Sequence, residues 1–305
     1  MSGLAHGNFA GKRLIVFGCG DVGGAVAREG IARGMSVTAL TRNAATAAAL
    51  HAAGAQVVVG ELASTAWHGD VPGGAEYVLN AVSAGGGGLD GYRRSYLEGM
   101  RSIVAWAGAR PGVGTIVYTS STSVYPQDGG AVVDEEASTA GAGERGAILR
   151  EAEEVLVSGW GPTGEGSRVF ILRLAGIYGP GRRHLVEQVR SGEVAGRGEH
   201  RLNLAHRDDV AAAIWAAFGA PVEIEGGIFN VADDGAAPKA EVAAWLARRL
   251  GVAEPRFTGE PAGGRRAVTP DRVISNAKLK RVLGWAPRFP SFREGYENVF
   301  AAEAV

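Results

Sequence analysis

A short apolar run, Leu14–Phe17, feeds directly into Gly18-Cys19-Gly20-Asp21-Val22-Gly23, and an apolar-periodic segment opens at Val22. Strand, glycines, then helix is the order that a dinucleotide diphosphate requires. Gly18 permits the tight turn, Gly20 lets backbone approach the phosphates, and Gly23 lets the helix pack on the strand. The helix N-terminus then offers unpaired N–H groups and a partial positive charge to the anion. Cofactor contacts are therefore expected at Gly18, Gly20, Asp21, Val22 and Gly23. In a chain with 48 glycines the spacing alone would say little. The flanking strand and helix carry the inference.

About 20 residues further on, dinucleotide folds place a carboxylate on the ribose 2′-hydroxyl of NAD. Here the second strand ends in Thr41-Arg42-Asn43, with no acid beside it. A guanidinium suits the 2′-phosphate of NADP, because it pairs bidentately with a dianion that an Asp would repel. NADP is the expected cofactor, NAD the alternative, and Thr41 and Arg42 the expected contacts; a solvated surface arginine is the plainer reading. Glu61 and Leu62 follow the third strand, where adenine is flanked, although an ordinary polar loop fits there too. Ala81, Val82 and Ser83 follow the fourth strand and are also expected beside the cofactor.

The elements that position these residues alternate strand and helix, which points to an α/β fold with a doubly wound, mainly parallel sheet. Strands are expected at Ser36–Leu40, Gln56–Val59, Tyr77–Val82, Thr115–Ser120 and Arg168–Leu174. Helices are expected at Ala44–Ala53, from about Tyr92 to Ala109, and at Glu144–Ser158. Beyond Gly176 come arginine-bearing loops, an alanine-rich helix capped by Asp208 and Asp209, a strand at Ile228–Val231, and helices at Lys239–Leu250 and Asn276–Leu283. Residues 1–176 read as a cofactor-binding domain, and 177–305 as a smaller, interleaved C-terminal substrate lobe that returns strands to the first.

The 305 residues are 46% hydrophobic and 21% charged, an ordinary globular composition. A net charge of −1 steers the chain toward neither nucleic acid nor an anionic membrane. The single cysteine, Cys19, excludes an internal disulfide, and its place in the glycine turn asks only for a small residue. No apolar run approaches a membrane span and no N-terminal signal pattern is visible, so a cytoplasmic enzyme or binding protein is expected.

Taken in order, these motifs resemble the extended and atypical branches of the short-chain dehydrogenase/reductase superfamily, the NAD(P)-dependent epimerases and dehydratases. The resemblance rests on Gly18–Gly23, on Thr119-Ser120-Ser121-Thr122-Ser123-Val124-Tyr125 and on Arg173-Leu174-Ala175-Gly176-Ile177-Tyr178-Gly179-Pro180-Gly181. His206-Arg207-Asp208-Asp209-Val210, Phe229-Asn230-Val231, and Ser275-Asn276 with Leu283-Gly284-Trp285-Ala286-Pro287 complete it. It covers almost the whole chain and implies a Rossmann-type fold, a sugar-like or nucleotide-sugar substrate, and Ile177 and Tyr178 among the cofactor contacts. The family's Ser or Thr, four residues before the Tyr of the V-Y motif, is Ser121 here and would bind the reacting oxygen.

The family's proton donor is the Tyr of a Y-x-x-x-K helix, its pKa lowered by the Lys and the nicotinamide charge. Here Arg145 stands in the Tyr position and Leu149 in the Lys position. No lysine lies between Lys12 and Lys239, and no tyrosine between Tyr125 and Tyr178. The acid–base pair is absent. Ser121 and Tyr125 are then the expected catalytic residues, with Tyr178 as competitor. Arg145 cannot serve as an acid, but it could stabilise an alkoxide or bind a phosphate.

Arg182, Arg183, Arg201, Arg207, Arg265 and Arg266 are candidates for an anion pocket, against a plain reading of several as surface charges. His184, His200 and His206 show no metal-ligand spacing, and no metal is expected. The expected partner is a small-molecule substrate able to carry phosphate, not nucleic acid or membrane, and a homodimer is allowed. Two readings stay open: an NADP(H)-binding, epimerase-like oxidoreductase, or a catalytically inactive NADP-binding sensor or scaffold.

Overall fold

Leu14, Ile15, Val16 and Phe17 are all buried, because β1 (Arg13–Phe17) lies mid-sheet with an apolar layer on each face. The computed structural model describes residues 8–110, 112–160, 167–259 and 270–303. Its central sheet also holds β2 (Ser36–Thr41), β3 (Gln56–Val59), β4 (Tyr77–Asn80), β5 (Thr115–Ser121), β6 (Val169–Leu174) and β7 (Gly226–Val231). The strand order is β7-β6-β5-β4-β1-β2-β3, and every pairing is parallel. The doubly wound, Rossmann-type α/β fold expected from the sequence is thus present. The chain reverses direction across the sheet between β1 and β4, and such switch points are where ligands bind, outside the carboxyl ends of the strands.

Alternation along the strands divides the core. Val16, Leu79, Val117 and Leu172 face one layer with α1 (Asp21–Ala32) and α7 (Arg207–Phe218). Ile15, Phe17, Val78, Ile116 and Ile171 face the other, against α4 (Gly99–Gly108) and α5 (Glu144–Gly159). The connections after β2 and β4 supply α2 (Ala44–Ala52) and α3 (Gly88–Arg93). Asn43 caps α2, its side chain accepting from Thr46 N at 2.9 Å. A third apolar cluster joins Tyr178, Val186, Leu246 and Phe292 on α6 (His184–Arg190), α8 (Lys239–Leu250), α10 (Phe292–Glu303) and the Gly176–Tyr178 strand. The remaining helix, α9 (Ala277–Leu283), packs near β7. Both α7 and β7 come from beyond residue 176 yet complete the central layers.

The structure corrects several boundaries. The helix expected from Tyr92 begins at Gly88, after a left-handed Gly87, and passes through a π-helical turn at Arg94–Glu98 before α4. The fourth strand stops at Asn80 rather than Val82, because the Asn80 side chain turns to accept from Val82 N. Asp208 and Asp209 do not cap α7. His206 does, its Nδ1 accepting from Asp208 N at 3.2 Å, while Asp209 receives Arg288 N and Phe289 N and anchors the C-terminal segment.

One polar feature crosses the second layer. Arg173 on β6 and Glu153 on α5 form a bidentate pair, Nε to Oε1 at 3.1 Å and Nη2 to Oε2 at 2.6 Å, with both side chains 5% exposed. Ser120 donates to the same carboxylate at 2.5 Å. Replacing Glu153 by Ala leaves the buried guanidinium without its counter-ion and should cost about 3–5 kcal/mol. Urea unfolding is the measurement, and a free energy within about 1 kcal/mol of wild type would contradict this reading.

Candidate functional site

The glycine turn at the end of β1 is built by close approach. Gly18 has φ +84°, and a Cβ there would lie 2.6 Å from the Val82 backbone. A Cβ on Gly23 would lie 2.1 Å from Gly18 O, so only glycine lets α1 sit down on the turn. Gly20 differs: nothing lies within 4 Å of its Cβ position. The turn therefore presents an open cradle at the N-terminus of α1, where Asp21 and Val22 bring the first, unpaired N–H groups. Open space above donors is the arrangement that fits a diphosphate. Cys19 points inward toward the Val16 and Leu40 carbonyls, and burial pushes its thiol up to about 12, so it is inert.

Arg42 leaves the end of β2 half-exposed and pairs with Glu61 at 3.2 Å. No acid neighbours Arg42 in sequence, yet the loop after β3 brings one to it. Thr41 Oγ1 accepts from Asn43 N, so that hydroxyl is already engaged in the turn. Leu62 turns its side chain into the core against Gly99, and its carbonyl accepts from Trp67 Nε1, so of this pair only Glu61 faces Arg42. Ala81, Val82 and Ser83 follow β4 at the carboxyl edge, with the Val82 backbone against Gly18.

Ile177 and Tyr178 separate in role. Ile177 packs on the first core, whereas Tyr178 is buried in the third, its ring 4.8 Å from Tyr296 and 5.4 Å from His206. Its hydroxyl points to Ser291 O at 3.4 Å, and burial raises its pKa strongly. The expectation of Tyr178 as a competing acid is therefore corrected.

Tyr125 is corrected as well. It is fully buried, its hydroxyl donating to Asn230 Oδ1 and accepting from Arg173 Nη1, each at 2.9 Å. Burial raises its pKa while Arg173 opposes. Both hydrogen-bonding directions are consumed inside the molecule, so this phenol holds the fold rather than facing a substrate. Ser121, in contrast, stays half-buried at the end of β5 and accepts from Ser123 N.

Leu149, which the resemblance sets in the lysine position, is fully buried in the first core. Gly146 brings the first turn of α5 against Ser123, with its Cβ position 2.6 Å from Ser123 O. Arg145 lies over the ring of Tyr92 at 5.6 Å, and Tyr92 packs on Tyr96 at 4.5 Å. Tyr96 sits in the π-helical turn, hydrogen-bonded to the Ala84 backbone with Arg182 near; burial raises its pKa and both neighbours oppose.

This tyrosine pair was missed in the sequence. Its only signal is the i, i+4 spacing of two phenols just after the Gly85–Gly88 run. Among the arginines, the structure brings Arg207 to the glycine turn and Arg182 near Tyr96, while Arg183 pairs with Glu187 and Arg201 with Asp271. Arg265 and Arg266 lie outside the described residues.

Gly20→Val should leave the unfolding midpoint nearly unchanged while removing dinucleotide binding, because its side chain enters the open cradle. Gly18→Ala should instead lower stability. A Gly20→Val protein that folds and titrates with NADPH like wild type would move the diphosphate elsewhere.

Protein YeeZ of Escherichia coli strain K12 is 32% identical over 196 residues, which are 64% of this chain and 65% of YeeZ. The match thus spans just under two thirds of that relative. The 3-diazoavenalumate denitrifying reductase of Streptomyces sp is 31% identical over 145 residues, 41% of this chain and 45% of the reductase. The solved structure of MoeE5 in complex with UDP-glucose and NAD superposes with TM-score 0.81 at 20% identity, covering 96% of this chain and 98% of MoeE5. That likeness extends the fold assignment to nearly the full length. The model of the NAD dependent epimerase/dehydratase family matches residues 14–232, the stretch that carries the glycine turn, the strand-end serine and the returning β7. The chain belongs to the NAD dependent epimerase/dehydratase family.

Proposed function

We propose that the chain is an NADP(H)-binding oxidoreductase of the epimerase/dehydratase type, acting on a sugar-like or nucleotide-sugar substrate without the Tyr-x-x-x-Lys pair. The observation that carries this is the open space over Gly20 at the switch point of the sheet, with Arg42 at the far end of the same edge. The names of the matched relatives, a reductase and a UDP-glucose- and NAD-bound structure, support the same class. In this reading residues 1–176 hold the cofactor and 177–305 form the substrate lobe.

When bound, the nicotinamide supplies hydride transfer. The chain's own residues must orient the substrate and move a proton. Ser121 holds the reacting oxygen at the end of β5. Tyr96 takes over as proton donor, since Tyr125 and Tyr178 are sealed in the core. Arg145, whose guanidinium keeps its proton near neutral pH, holds negative charge on the substrate. With a substrate that the wild type turns over, Tyr96→Phe should lower kcat by about 10²–10⁴ and leave NADPH affinity unchanged. Tyr125→Phe should act on stability instead. Full turnover by Tyr96→Phe would remove this assignment.

Arg42 sets the cofactor preference, and Glu61 tempers it, because a carboxylate 3.2 Å away repels a 2′-phosphate. Calorimetry should show NADPH bound more tightly than NADH. Arg42→Ala should erase most of that difference, about tenfold for a charge-assisted contact, and Glu61→Gln should widen it. Equal or tighter binding of NADH by the wild type would reverse the preference.

The second reading, a non-catalytic NADP-binding sensor or scaffold, is favoured by the buried Leu149 in the lysine position. It expects cofactor binding with no turnover on any sugar nucleotide.

A further inference from the structure

The arginine that opens α7 comes from the C-terminal half of the chain, yet its side chain ends at the glycine turn. Arg207 Nη1 donates to Asp21 Oδ1 at 3.3 Å and to Pro180 O at 3.2 Å. Nε and Nη2 both bond Asp208 Oδ1 at 3.0 Å, which orients the planar fork so that Nη1 faces the turn. The Gly179–Arg182 loop closes on the other side, with the Gly179 Cβ position 3.2 Å from Arg207 Cβ. The guanidinium is thus held from several sides and stands beside the residue next to Gly20, over which space is open.

Asp21 carries the second observation. It is the first residue of α1, and its Oδ2 is buried without a hydrogen-bond partner. A carboxylate with one oxygen unsatisfied is an incomplete partner for an arginine, and its charge occupies the helix end that favours an anion. We infer that Arg207 is a ligand for the cofactor's diphosphate, delivered from the C-terminal lobe, and that Asp21 holds it in place until the diphosphate competes for it. The inference rests on the proposed dinucleotide site and adds to it a charged contact from outside the glycine turn. It also makes cofactor binding and the docking of α7 against α1 interdependent.

The test is calorimetric titration of the full chain with ADP-ribose, which has the diphosphate but no nicotinamide, at low and moderate salt. Wild type, Arg207→Gln, Arg207→Lys and Asp21→Asn are compared, with thermal unfolding of each. Arg207→Gln should bind about tenfold or more weakly and show a shallower salt dependence, and Arg207→Lys should recover part of the loss. Asp21→Asn releases the guanidinium and should bind at least as tightly as wild type. Unchanged affinity in Arg207→Gln overturns the inference. So does a loss in Asp21→Asn equal to that in Arg207→Gln, because the pair would then only tether the lobe. If Arg207→Gln does not fold, Asp21→Asn decides alone: binding at least as tight as wild type supports the inference, and weaker binding overturns it. Failure of the wild type to bind ADP-ribose would instead remove the dinucleotide site itself.

Discussion

The bidentate pair between Arg173 and Glu153 is the contact on which the rest of the molecule depends. Both charges are withdrawn from water, and such a pair is tolerated only when its remaining donors and acceptors are met. Here they are. Ser120 donates to the carboxylate, the Tyr125 oxygen accepts from Nη1, and the Tyr125 hydroxyl donates in turn to Asn230 Oδ1 on β7. One network therefore ties β5, β6, β7 and α5 together at the carboxyl end of the sheet. Arg272 braces the same turn from the C-terminal half, donating to the carbonyls of Thr122 and Tyr125. The position of Ser121 follows from this frame, because it lies between Ser120 and Thr122, both fixed by it.

The same network explains how the strand-end tyrosine changes meaning. A phenol one turn beyond the end of β5 reads in sequence as a candidate acid. Its partners lie 48 and 105 residues away in the chain, at Arg173 and Asn230, and no local pattern announces them. Glu153 sits one helical turn after Leu149, so α5 presents a buried anion and a buried aliphatic on neighbouring positions of one face. The helix is held by packing and by a salt bridge. On the proposed reading, proton transfer falls outside β5 and α5, at the half-buried tyrosine pair after β4, where Arg145 and Arg182 lie near.

What was legible in the sequence is what depends on neighbours in the chain. Gln56–Val59 and Lys239–Leu250 follow from apolar period and flanking breakers, and the glycine turn from its strand and helix. Asp is the commoner cap by type, yet His206 caps α7, because its contacts with Phe289 and Tyr178 hold it there. Arg42 was visible and its partner Glu61 was not, since loop closure across β3 brings them together. The π-helical turn holding Tyr96 has no propensity signature, and the phenols there read simply as part of an amphipathic helix.

From beyond residue 176, α7 brings the Arg207 guanidinium to the glycine turn, at the switch point between β1 and β4. That a nicotinamide dinucleotide occupies this edge is tested most directly by native mass spectrometry of the wild-type chain incubated with an equal mixture of NADPH and NADH. The geometry predicts one dinucleotide per chain, predominantly the phosphorylated form. A chain that stays folded and retains neither nucleotide across the accessible concentration range would contradict it.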